Sequence, residues 1–116
     1  MSRLLPALLD VLLVLVFAAV GRRSHAEGLD VTGVLRTALP FLVGTATGWL
    51  LASVVLESGP RSLAWGAVVV VATVAVGMAL RALAAQGVAV SFVVVATTVL
   101  AAFLVGWRLV ARLLPA

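Results

Sequence analysis

Asp10 poses the sharpest chemical question in this chain, a carboxyl six residues into an apolar run that begins at Leu4. At the helical rise it lies roughly 9 Å along the first helix. An ionised carboxylate near the centre of a membrane helix costs about 2.5–3.5 kcal/mol on insertion scales, so it needs a partner, a wet cavity or a proton. Besides a simple interfacial position, two readings follow. In one, Asp10 pairs with an arginine from the same membrane side and pins two helices together. Arg61, Arg108 and Arg112 fall on that side, and Arg108 reaches inward most easily. In the other, Asp10 binds a proton or cation during transport. Asp10→Asn separates them, since the strut loses assembly whereas the site assembles and loses transport.

A second cluster follows the first apolar run. Gly21-Arg22-Arg23-Ser24-His25, with Glu27 and Asp30 beyond, places bidentate donors, a hydroxyl and an imidazole within a few residues. Imidazole titrates near neutral pH, and paired guanidiniums suit phosphate or acidic lipid headgroups. The plainer reading is an interfacial stop with two anchoring arginines. Arg36 falls on this side, and Arg81 emerges there to extend the cluster or to pair with Glu27. A lone histidine is better read as a surface residue than as a metal ligand.

The elements that position these groups are apolar. Of the 116 residues, 65% are hydrophobic and 10% charged, which a water-soluble chain this small could not bury. Four long apolar runs predict a single all-α domain over 1–116, an integral membrane bundle of four transmembrane helices. Their expected spans are 4–20, 38–56, 63–84 and 88–107. Val68-Val69-Val70-Val71 reads as a strand in isolation, but its place in a long apolar run favours helix, and four segments are too few for a barrel. Asp30 or Thr32 can cap the second helix, Ser62 the third, and Pro40 is expected to bend the second at the membrane surface. The first run also mimics a secretory signal ending at Ser24-His25-Ala26. Asp10 inside it and Arg22-Arg23 behind it favour a retained helix.

Small residues recur at packing distance: Gly44, Gly48 and Ala52; Gly66, Thr73 and Gly77; and Thr98, Ala102 and Gly106. Such faces let helix backbones approach closely, either inside the bundle or at a seam between copies, a dimer being the simplest homo-oligomer. Trp49, Trp65 and Trp107 are explained by burial or interfacial anchoring.

All eight basic residues are arginine and the net charge is +4. In a membrane chain this charge belongs at the bilayer edges, so no nucleic-acid partner is expected. Arg3, Arg61, Arg108 and Arg112 lie on the side of the termini, with Arg22, Arg23, Arg36 and Arg81 opposite. The tie leaves the positive-inside rule silent. The expectation adopted is a multi-pass protein of the plasma membrane with cytoplasmic termini, insertion in both orientations being the alternative.

Cysteine and tyrosine are absent and histidine occurs once. Thiolate metal sites, disulfides and a bis-histidine haem within one chain are excluded. No nucleophile–base pair or metal triad is visible, so no enzymatic activity, cofactor or metal is expected.

Several of these segments carry a resemblance. The acid in the first span, Phe17 before Gly-Arg-Arg-Ser-His, Leu35-Arg36-Thr37-Ala38-Leu39-Pro40-Phe41, Gly77-Met78-Ala79-Leu80-Arg81 and Gly106-Trp107-Arg108 resemble a bacterial and archaeal family of small multi-pass membrane proteins. That family is catalogued as a domain of unknown function. The resemblance implies a four-helix membrane protein of prokaryotic origin and no activity. The chain is also similar in architecture to small multidrug exporters, but it has Asp where they have Glu and lacks their aromatic-rich pocket. The expected role is therefore non-enzymatic, with anionic-lipid or anion recognition by the arginine cluster. Proton-coupled small-molecule transport through Asp10 and service as a subunit of a larger membrane complex are the alternatives.

Overall fold

The first helix starts where Pro6 tolerates a helical first turn, and it turns Pro6, Asp10, Val14 and Ala18 inward at four-residue intervals. The computed structural model describes residues 3–24 and 30–114, with the side chains of residues 23 and 24 outside that description. Helix α1 spans Leu4–Ser24, α2 Val31–Val55, α3 Leu63–Leu83, α4 Val90–Leu104 and α5 Gly106–Leu113. Among the described residues there is no strand. Four helical rods are long and apolar enough to cross a bilayer, with α4 and α5 forming one of them. The longest dimension, 41 Å, matches a bilayer with its headgroup layers. Leucines and valines such as Leu12, Leu50, Val54, Val71 and Val94 face outward, as hydrocarbon surroundings require. The protein is an integral membrane bundle.

The caps form as the residue types require. Asp30 accepts a hydrogen bond from the Gly33 amide at 2.9 Å, and Ser62 accepts one from the Trp65 amide at 3.1 Å. Capping by Asp30 starts α2 at Val31, seven residues before the expected span, and the helix runs on through a buried Pro40. The last span differs from expectation in the opposite direction. It continues past residue 107 to Leu113, because Arg108 is neutralised inside the bundle and does not have to end the helix. At Val105 the backbone keeps right-handed helical angles, and Val105 and Leu109 still bond to Ala101 and Val105 at 3.0 Å. Gly87, at φ +89°, closes the turn between α3 and α4 where a side chain would be strained.

Helices α2 and α3 make the closest approach. A Cβ on Gly44 would meet the Thr73 Cα at 2.8 Å, and one on Gly48 would meet the Val69 Cα at 2.8 Å. Thr45 and Thr73 hydroxyls, both buried, bond across this seam at 2.9 Å. Gly77 makes room for the Phe41 ring. On the last rod, by contrast, Thr98 and Ala102 of α4 are exposed and a Cβ on Gly106 of α5 would meet no described atom within 4 Å. The contact within the bundle open to those three residues is not formed. Ala96, Leu100, Leu104 and Arg108, also four apart, turn inward instead, because this face carries the guanidinium towards Asp10.

Candidate functional site

Two polar centres lie at opposite ends of the bundle. The end holding the termini and the α2–α3 turn is closed around Asp10 and Arg108, both fully buried. Arg108 Nη1 donates to Asp10 Oδ1 at 2.9 Å and Nη2 donates to Oδ2 at 2.8 Å, a two-pronged pair. Trp107 Nε1 donates to Oδ1 at 2.8 Å and Trp49 Nε1 to Oδ2 at 2.9 Å. Each oxygen thus accepts two N–H bonds, the complement of an acceptor-only carboxylate. Arg108 Nη1 also donates to the Leu104 carbonyl at 2.7 Å, and Nε donates to the Pro60 carbonyl at 2.9 Å. Gly66 on α3 gives the guanidinium stem its space, since a Cβ there would lie 2.9 Å from Arg108 Cδ. The pair therefore touches all four rods. Trp65 packs edge-on against Trp49 with centroids 5.1 Å apart, and the Arg3 guanidinium lies 5.4 Å from the Trp65 ring centre. The Trp65 indole nitrogen is buried with no hydrogen-bond partner among the described residues.

The Asp10–Arg108 pair that the first sequence reading of Asp10 requires is formed. The roles of Trp49 and Trp107 as donors were missed by reading them only as apolar anchors.

Among the described residues the opposite end holds a cavity. Arg22 from α1, Arg36 and Thr37 from α2, and Arg81 from α3 line a cavity of about 780 Å³, with Phe17 and Phe92 in its wall. That volume falls in the range of small-molecule sites. Arg22 Nη1 donates to the Thr37 hydroxyl at 3.2 Å, and its Nη2 lies 3.7 Å from Asp30 Oδ1. Arg81 is braced by the following turn: Nε donates to the Gly87 carbonyl at 3.1 Å and Nη2 to the Gln86 carbonyl at 2.9 Å. Its guanidinium sits 4.5 Å from the Phe92 ring centre. Arg36 is exposed at the rim. Asp30 lies outside the span, where the Gly33 amide bond, aided by the charges of Arg22 and Arg36, holds its carboxyl below its usual 3.8.

The arginines expected to cluster from sequence thus converge in part. Arg22, Arg36 and Arg81 share the cavity, whereas Arg108 belongs to the closed end. His25 and Glu27 lie outside the described residues, as do the side chains of Arg23 and Ser24. The pairing of Arg81 with Glu27 falls there too. Among the described residues no group of three acidic, histidine or cysteine side chains is placed to hold a metal.

A family designated DUF3054, described as a protein of unknown function, matches residues 7–111. The chain belongs to the DUF3054 family. The match runs from just before Asp10 to just past Arg108, so both polar centres lie within the DUF3054 region. No curated protein and no solved structure matches the chain.

Proposed function

We propose that this DUF3054 protein is a non-enzymatic component of a prokaryotic plasma membrane that recognises an anionic group in the arginine-lined cavity. The observation that carries the reading is the convergence of guanidiniums from three helices, Arg22, Arg36 and Arg81, on one open volume of about 780 Å³. Arginine forks suit planar, multidentate acceptors such as phosphate and carboxylate. Phe17 and Phe92 lower the polarity of the wall, which strengthens charge-assisted bonds at the site.

The test is a thermal-unfolding titration of the detergent-purified chain with glycerol phosphate, using glycerol as the uncharged control. Glycerol phosphate at about 100 times its Kd should stabilise the protein by about 2.7 kcal/mol. Arg36→Gln, at an exposed position, should remove that stabilisation while leaving the unliganded protein as stable as before. Equal responses to glycerol phosphate and glycerol would sink the reading.

Transport through Asp10 is the weaker proposal, because opening that carboxylate means breaking four N–H bonds. Orientation is also shifted by Arg108. Its burial removes it from the interfacial charge, leaving Arg3, Arg61 and Arg112 at one end against Arg22, Arg23, Arg36 and Arg81 at the other. The positive-inside rule then favours the cavity end in the cytoplasm, against the cytoplasmic termini adopted from sequence. A C-terminal reporter active on only one side of the membrane decides between them. The exposed Thr98 and Ala102 face of α4 is where self-association or docking on a larger complex would be sought by crosslinking.

A further inference from the structure

A second, smaller cavity of about 180 Å³ adjoins the arginine-lined one and shares Phe17, Gly21, Ser91 and Phe92 with it. Its remaining lining is Val20 from α1 and Val95 and Val99 from α4. The two volumes form one tract with a charged end and an apolar end. Ser91, Val95 and Val99 are one helical turn apart each, so the apolar part follows α4 for about 12 Å from the rim. Half of a bilayer's hydrocarbon is about 15 Å thick. The slot therefore covers most of the depth of one leaflet, starting from the headgroup level.

It also opens sideways. Val20 and Val95 are exposed on its edges, and a Cβ on Gly21 would meet no described atom within 4 Å. Near the rim, α1 and α4 are bridged by aromatic contacts, with Phe17 and Phe92 centroids 6.4 Å apart. Phe17 and Phe92 stand where the charged and apolar parts meet.

We propose that this tract holds one anionic lipid, its phosphate among Arg22, Arg36 and Arg81 and an acyl chain in the α1–α4 cleft. The inference rests on the anion-recognition reading and adds to it the ligand class and the route, which is lateral from the surrounding leaflet. Charge complementarity chooses the head, and the apolar slot chooses an attached tail over a water-soluble anion. A soluble phosphate would leave the Val20, Val95 and Val99 lining without a ligand counterpart.

The experiment uses the full chain in neutral detergent. Native mass spectrometry measures retention of phosphatidic acid against phosphatidylcholine, and calorimetry measures binding of glycerol phosphate. Val95→Trp fills the slot from an exposed position, and Val94→Trp adds the same bulk to an exposed position outside its lining. Phosphatidic acid should outcompete phosphatidylcholine. Val95→Trp should weaken phosphatidic acid by about tenfold or more, the loss expected when a few methylenes leave an apolar slot. Glycerol phosphate should bind the Val95→Trp and Val94→Trp variants as it binds the parent. Unchanged phosphatidic acid binding in Val95→Trp, with glycerol phosphate still bound, would overturn the lipid assignment and leave anion recognition standing. Failure of both phosphate probes, or indifference of both to Arg36→Gln, would overturn the two together.

Discussion

Arg108 and Arg36 sit at opposite ends of one bundle, and their surroundings differ in almost every physical respect. Arg108 is fully buried, paired twice with Asp10 and bonded to two backbone carbonyls. Arg36 is exposed at a cavity rim, has no hydrogen-bond partner among the described residues, and stands near a carboxylate that is itself exposed. At the first end every polar group around the charge is protein. At the second the cavity leaves room for something else. The difference separates two uses of one residue type in lipid: a charge saturated by its own chain holds helices, whereas one left at an open rim can recognise a ligand.

The contrast is broken most directly from the closed end. Asp10→Ala leaves Arg108 charged, buried and without its partner, which should cost about 3–5 kcal/mol. Unfolding in mild detergent reads the loss. Replacing both Asp10 and Arg108 by leucine should be much milder, because no orphan charge remains. If Asp10→Ala proves harmless, the closed end is not a strut.

A smaller effect is expected at the α2–α3 seam. Gly44→Leu forces a side chain against Thr73 backbone atoms and should destabilise by about 1–3 kcal/mol. Gly21→Ala, beside the open cleft, should be neutral or slightly stabilising in the same assay, as alanine favours helix. Equal losses would mean that the cleft beside Gly21 is packed as tightly as the seam. Trp49→Phe removes one of four N–H bonds to Asp10 while keeping an aromatic ring edge-on to Trp65, at a cost of about 1 kcal/mol.

The smallest effect concerns acid. Asp30 has a lowered pKa in the folded protein, so its contribution is present above 3.8 and fades as pH falls through the lower folded value. Protection of the Gly33 amide against exchange, relative to its intrinsic rate at each pH, should fall over that window, with no matching change at Trp65, whose cap is the neutral Ser62 hydroxyl.

Much of this was legible in the residues themselves. Apolar run lengths locate the four spans, and the cost of an acid in lipid singles out Asp10 and an arginine partner, of which Arg108 reaches inward most easily. Ser62 was legible as a cap by type and place, whereas α2 offered Asp30 and Thr32 and only the structure chooses Asp30. The indole donors were harder, though a depth argument finds them: Asp10 is six residues from Leu4 and Trp49 seven from Leu56, at the same end of antiparallel helices. The inward face of α4 was hidden because valine, alanine and threonine occur on every side of it. Spacing alone then chose the Thr98, Ala102 and Gly106 stripe, whereas the need to deliver Arg108 to Asp10 chose another. Sequence put Arg22, Arg36 and Arg81 on one side, but the cavity they share and its Phe17 and Phe92 wall were not legible, since they depend on how the helices pack.

Asp10 and Arg108 are 98 residues apart. At ribosomal rates of about 5–20 residues per second, on the order of ten seconds separates their synthesis. During that interval the acid of the first rod has no countercharge from the last. Until its final helix arrives, the newborn protein therefore holds an acid in its first rod without the guanidinium that answers it. Completion of the bundle and neutralisation of its first segment become a single late event, and a chain truncated before residue 108 never gains that countercharge.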